Sequence, residues 1–144
     1  MLFQNILIPF DLSNQSTRAF KVALDLATKY NSKLTLLTCI DVGAWHHKYY
    51  DSRSDSALVK NQSKVAKKYL EKLESLAAKN NVSIKTQIMK SKSVSNDIVT
   101  FAKSRKHDLI VIGSHSRTGF DKLLLGSVAN GVSQKSKCPV LIVK

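Results

Sequence analysis

Four short, nearly unbroken apolar runs punctuate the chain: Gln4 to Pro9, Leu34 to Ile40, Leu109 to Ile112 and Pro139 to Val143. Runs this short, without polar alternation, suit parallel strands buried on both faces. A fifth stretch behaves differently. From Val82 to Met89, Val82, Ile84, Thr86 and Ile88 alternate with Ser83, Lys85 and Gln87, a period of two that predicts a half-exposed strand at a sheet edge.

Between these runs the apolar spacing lengthens to that of a helix. Phe20, Ala23, Leu24 and Ala27 recur at i, i+3, i+4 and i+7 within Asn14 to Tyr30, predicting an amphipathic helix. Ser13 is its expected N-cap, and Asn31-Ser32 its stop. Ser56 to Asn80 carries a longer stripe of Leu58, Val65, Ala66, Tyr69, Leu73, Leu76 and Ala77, predicted to face the core. Ser95 to Arg105, with Ile98, Phe101 and Ala102, and Ser127 to Ser136 complete four predicted helices. Gly131, inside the last, costs that helix about 1 kcal/mol against Ala. Asp41 to Asp55 has no period and is expected to be a long, partly mobile loop.

Strands alternating with helices predict one doubly wound α/β domain over residues 1–144. Right-handed crossovers give a five-stranded parallel sheet in the order 3-2-1-4-5, with helices on both faces. The ligand crevice of such a sheet opens at the carboxyl ends of the strands flanking the topological switch. Those are the first and fourth strands, which end in Pro9-Phe10-Asp11 and at Gly113.

Composition narrows the picture. Hydrophobic residues at 43%, with five Gly and two Pro, argue for an ordered globular chain. No apolar run approaches the roughly 20 residues of a membrane helix. Met1 to Asn5 has no export signal, so a cytoplasmic location is expected. Cys39 and Cys138 are too few and too distant for a disulfide framework or zinc site, and Cys39 is expected to be an inert core thiol. The formal charge of +13 implies a field that attracts nucleotides, nucleic acid or anionic surfaces. Many of the lysines fall on the helix from Ser56 to Asn80, where a solvated face is the simpler account.

The candidate chemistry lies in Gly113 to Ser127, Gly-Ser-His-Ser-Arg-Thr-Gly-Phe-Asp-Lys-Leu-Leu-Leu-Gly-Ser. A strand, a Gly- and Ser-rich loop and a helix N-terminus, in that order, let backbone N–H groups converge on an anion. Gly113 allows close approach of ribose or phosphate, and Gly126-Ser127 offers free amides and a hydroxyl. Neither Gly-x4-Gly-Lys-Ser/Thr nor a Gly-x-Gly-x2-Gly after the first strand occurs, which excludes the two commonest nucleotide motifs. His115 is the one ionisable candidate for proton transfer in the stretch, and a surface imidazole is the preferred account. His46-His47 with Asp51 lack a metal-ligand spacing. No activated nucleophile or oriented base assembles, so no catalytic residue is assigned.

The stretch resembles the nucleotide motif Gly-x2-Gly-x9-Gly-Ser/Thr of the universal stress protein family, at Gly113, Ser116, Gly126 and Ser127. The likeness extends to Ile6-Leu7-Ile8-Pro9-Phe10-Asp11-Leu12-Ser13, Cys39-Ile40-Asp41, Asp108 to Gly113 and Cys138 to Val143, essentially the whole chain. The resemblance to the ATP-binding branch implies that Pro9, Phe10 and Asp11 border adenosine and that the Cys39 backbone meets the adenine edge. It implies Ile112 along the pocket, Gly113 by the ribose, and Ser116, Gly126, Ser127 and Val128 around the phosphates. Arg117 and Lys122 are candidates to screen a triphosphate, and Lys90 or Lys92 to reach it. Ser116 replaces the second Gly of the motif, and Lys92-Ser93-Val94 replaces a Gly-x-Pro-like turn.

The implied function is a regulatory homodimer that binds ATP, or ADP or AMP, with magnesium, and hydrolyses ATP slowly at most. Pairing through Val140 to Val143, a stress-response role and an unidentified protein partner come with it. Two alternatives stand beside it: a dimeric interaction module of the same family with a vestigial crevice, and nucleic-acid binding through the basic helix 56–80.

Overall fold

The computed structural model describes residues 3–43, 52–115 and 124–144, with backbone alone at 52–55. The elements are β1 (Asn5–Pro9), α1 (Asn14–Tyr30), β2 (Lys33–Asp41), α2 (Ser52–Lys79), β3 (Ile84–Ser91), α3 (Val94–Ser104), β4 (Leu109–Gly113), α4 (Ser127–Lys135) and β5 (Val140–Val143). All neighbouring strands pair in parallel, in the order β3-β2-β1-β4-β5. The expected doubly wound sheet is therefore present, with the alternating strand β3 at one edge and β5 at the other.

Strand residues pointing to opposite faces divide the core in two. Ile6, Ile8, Leu34, Leu36 and Val111 pack with Phe20, Ala23 and Ala27 of α1 and Leu70 and Ala77 of α2. Leu7, Leu37, Ile110 and Ile112 pack with Ile98 and Ala102 of α3 and Ala129 and Val132 of α4. Full burial of one such aliphatic or aromatic side chain contributes roughly 1.5–3 kcal/mol, so both faces of the central strands are fixed. The crossing from α1 and α2 to α3 and α4 happens between β1 and β4, which opens the crevice there.

The helix boundaries correct the periodicity in one important place. α2 begins at Ser52, inside the expected loop, because Ser52-Arg53-Ser54-Asp55 has no apolar residue from which a period could be read. Its inner face is Ala66, Leu70 and Ala77 with Leu73 partly covered, whereas Leu58, Val65, Tyr69 and Leu76 are exposed. The expected single stripe is two adjacent stripes, and only one meets the sheet.

Gly131 also acquires a reason. A Cβ there would lie 2.7 Å from the Ser95 hydroxyl oxygen and 2.8 Å from its Cβ. The glycine lets α4 approach α3 closely, which offsets its poor helix propensity.

Among the described residues no helix is long and apolar enough to cross a membrane.

Candidate functional site

Two strand-to-helix turns meet at the switch point, and the sequence builds them differently. After β1, Phe10 is tied to β2: its N–H donates to the Leu37 carbonyl at 2.8 Å, and its own carbonyl accepts from the Thr38 hydroxyl at 2.8 Å. Asp11 then accepts from the Ser13 N–H at 3.0 Å, and the Ser13 hydroxyl oxygen accepts from the Ser16 N–H at 3.0 Å. Ser16 in turn donates to the Ser13 carbonyl. This is a side-chain cap on the Ser16 amide of α1, backed by the Asp11 carboxylate. It holds the intervening Leu12 at φ 71, a left-handed conformation uncommon outside glycine and kept where the surrounding structure fixes it.

The turn from β4 to α4 lacks that self-sufficiency. Gly126 is the N-cap of α4, makes no side-chain cap bond, and is followed by no acidic residue in the first turn. The first-turn amides of an α-helix have no intrahelical partner, and among the described residues those of Ser127, Val128 and Ala129 meet no acceptor. Val128 and Ala129 line the cleft that separates the two turns.

That cleft measures about 510 Å³ including its open mouth. Pro9, Phe10, Asp11, Cys39, Ile112, Gly113, Gly126 and Val128, all singled out from sequence, line it together. Ser127 is exposed and does not. Ser116, Arg117 and Lys122 fall outside the described residues, as do His46, His47 and Asp51. Lys90 and Lys92 are exposed and take no part in the wall.

Leu37, Val94 and Ile98 add an apolar wall that periodicity does not place at the site. Spacing along the chain marks Ile98 as inward-facing, but only the path of α3 across the sheet brings it to the crevice.

The glycines are explained first by the protein itself. A Cβ on Gly113 would sit 2.9 Å from the Gln15 carbonyl carbon and 3.0 Å from the Ser16 nitrogen, so this glycine admits the N-terminus of α1 against β4. A Cβ on Gly126 would sit 3.0 Å from the Ser114 carbonyl oxygen, which already accepts from the Gly126 N–H at 2.8 Å. Neither glycine has positive φ. Close approach of backbone, rather than an unusual conformation, demands them.

His115 is not a free surface imidazole. Its Nε2 bonds the Leu124 carbonyl, and its Nδ1 lies 3.0 Å from the Ser114 hydroxyl. A carbonyl only accepts, so Nε2 carries the proton and, in the neutral ring, Nδ1 accepts from Ser114. Ring and glycine thus hold the entry of α4 to the exit of β4. Engaged at both nitrogens, the imidazole has no lone pair left for a substrate proton.

Cys39 is half-buried rather than a core residue. Burial, reinforced by the Asp97 and Asp41 carboxylates, pushes its thiol up to about 11. It is a neutral thiol at physiological pH, neither nucleophile nor thiolate ligand. A second cleft of about 980 Å³, walled partly by Gln62 and Val65 of α2, shares Asp11 and Cys39 with the first. Among the described residues no cluster of His, Cys, Asp or Glu could hold a metal ion.

The arrangement has a polar turn on one side, a helix N-terminus on the other and an apolar wall between. Such a site suits a ligand with a flat apolar part and an anionic end.

The chain matches the model of the universal stress protein family over residues 2–144. It is 34% identical to universal stress protein MJ0531 of Methanocaldococcus jannaschii, across 99% of this chain and 83% of that protein. Its structure superposes on universal stress protein UspA from Lactobacillus plantarum with a TM-score of 0.89 at 25% identity, covering 100% of this chain and 99% of that one. A universal stress protein solved in complex with cAMP aligns with a TM-score of 0.70 at 25% identity, over 99% and 98% of the two chains. The sheet order and these likenesses agree: the chain belongs to the universal stress protein family.

Proposed function

We propose that the protein is an adenine-nucleotide-binding regulatory protein, with ATP as its principal ligand and ADP or AMP as alternatives. One observation carries this: the uncapped N-terminus of α4 opens into an apolar cleft at the β1/β4 switch, beside the capped turn of Asp11. The cyclic adenine nucleotide bound by a structural relative supports the same ligand class.

In this reading Pro9, Phe10, Asp11 and the Cys39 backbone border adenosine, with Ile112 along the wall and Gly113 by the ribose. Gly126, Ser127 and Val128 hold the phosphates, and the cationic field of a +13 chain draws the anion in. Magnesium would accompany the bound phosphates. With a neutral Cys39 thiol and an engaged His115, no activated nucleophile or base lines the cleft among the described residues, which supports a protein that binds and signals rather than one that turns over rapidly. β5 is an open sheet edge with Leu141 39% exposed, and we assign it as the homodimer contact.

Titration calorimetry of the full chain with MgATP and with adenosine tests the reading. Saturable ATP binding, weakened about tenfold or more in Ser127→Glu with adenosine affinity retained, is expected. Absence of any ATP binding, by a protein that melts cooperatively, would overturn it and leave a dimeric interaction module.

A further inference from the structure

The second apolar stripe of α2 has no part in the core or in the proposed nucleotide site. Leu58, Val65, Tyr69 and Leu76 are 43%, 50%, 48% and 37% exposed, and they are spaced by seven, four and seven residues. With Gln62 and Lys72 between them they form an unbroken 3.5-residue seam, the spacing of a helix that packs against another helix. The seam runs about 27 Å at 1.5 Å per residue.

Its surroundings are cationic. Residues 56–79 hold six lysines and two glutamates, and one of those, Glu74, is committed to the Thr86 hydroxyl at 2.7 Å. Lys68 flanks the seam, Lys72 lies within it, and Lys79 continues it. The Lys72 ammonium stands 5.5 Å from the centre of the Tyr69 ring, which holds an aromatic and a cation together at the middle of the face.

We propose that this flank of α2 is a docking surface for an acidic amphipathic helix of a partner protein. Charge selects among possible occupants. A second copy of α2 would bring lysine against lysine, which disfavours self-pairing. Four large apolar side chains in register offer nothing to a phosphate backbone, which disfavours nucleic acid. A partner helix with leucine-like residues at 3.5-residue spacing and carboxylates facing Lys68 and Lys72 satisfies both features. Gln62 and Val65 also wall the second cleft, which shares Asp11 and Cys39 with the first, so a docked helix lies next to the nucleotide crevice. The surface itself does not depend on the nucleotide reading.

The probe is a labelled synthetic helix with leucine at heptad a and d positions and glutamate alongside, titrated with the full chain by fluorescence anisotropy at physiological salt. One-site saturable binding is expected, weakened at least tenfold in Val65→Asp and in Tyr69→Ser. Both residues are exposed, so thermal unfolding should stay unchanged. The double variant Lys68→Glu/Lys72→Glu should lose the acidic probe and gain a lysine-flanked twin of it.

Equal binding of an acidic peptide with the same composition but a scrambled order would show charge alone at work and overturn the proposal. So would no binding at all. Preferential capture by phosphatidylglycerol vesicles or duplex DNA, abolished by Val65→Asp, would reassign the surface to those partners. A smaller species in sedimentation of Val65→Asp than of wild type would reassign it to self-association.

Discussion

The turn from β1 to α1 and the turn from β4 to α4 stand on opposite sides of one crevice and solve the same problem in opposite ways. Both must satisfy the free amides of a helix start. The first commits Asp11, Ser13 and Ser16 to its own backbone. The second offers no side-chain cap, and in the proposed function its amides meet the phosphates. A helix N-terminus becomes an anion site only where the chain withholds a cap, so position at the switch point is necessary and not sufficient.

The largest effect should come from the packing shared by both turns. Gly113→Val places branched carbon within 2.9 Å of the Gln15 backbone and should destabilise the fold by about 3 kcal/mol or more, seen as a large drop in Tm or loss of a cooperative melt. It therefore tests the fold, not the ligand. A Gly113→Val protein with wild-type Tm would show that α1 does not press on β4 as described.

Ser127→Glu attacks the contrast directly by giving α4 the acidic first turn it lacks. ATP affinity should fall about tenfold while stability holds or rises by about 0.5 kcal/mol, read by calorimetry and thermal melts on one sample. His115→Ala, which frees the Leu124 carbonyl and the Ser114 hydroxyl, should weaken ATP several-fold and leave adenosine unaffected. It should also speed hydrogen exchange of the Gly126 amide. His115→Gln, which can still donate to Leu124, should recover part of the loss.

Ser13→Ala removes the cap of α1 and should cost about 1 kcal/mol with ATP affinity unchanged within twofold. A comparable loss of ATP affinity would mean that the two turns are not separate devices.

The smallest effect concerns Cys39, at the wall between them. Its thiol is raised from 9.0 to about 11, so between those values the unfolded chain has lost a proton that the folded chain keeps. Stability should fall as pH rises through that window. The stability difference between wild type and Cys39→Ala should be flat below pH 9 and shrink above it.

Much of the fold and of the crevice is legible in the amino-acid sequence. The continuous runs at Ile6 to Pro9 and Leu109 to Ile112 mark strands covered on both sides, because a strand without polar alternation has no face to give to water. Alternation in Ile84 to Ile88 puts β3 at an edge for the converse reason. Once crossovers are right-handed, the strand order and the place of the crevice follow, and eight of the residues singled out by motif and position line one cleft. Leu37 and Ile98 carry no such mark, since nothing local in their neighbourhoods differs from ordinary strand and helix sequence.

By itself, then, the sequence determined the element order, the buried strands and the position of the switch, because each follows from local periodicity and chirality. Three matters were decided only by tertiary packing. Which of two neighbouring apolar stripes on α2 meets the sheet depends on what lies across from each. Whether His115 is free depends on the approach of Leu124. Gly113 and Gly126 are required by backbone that reaches them from elsewhere in the chain, a distance that no spacing along the sequence encodes.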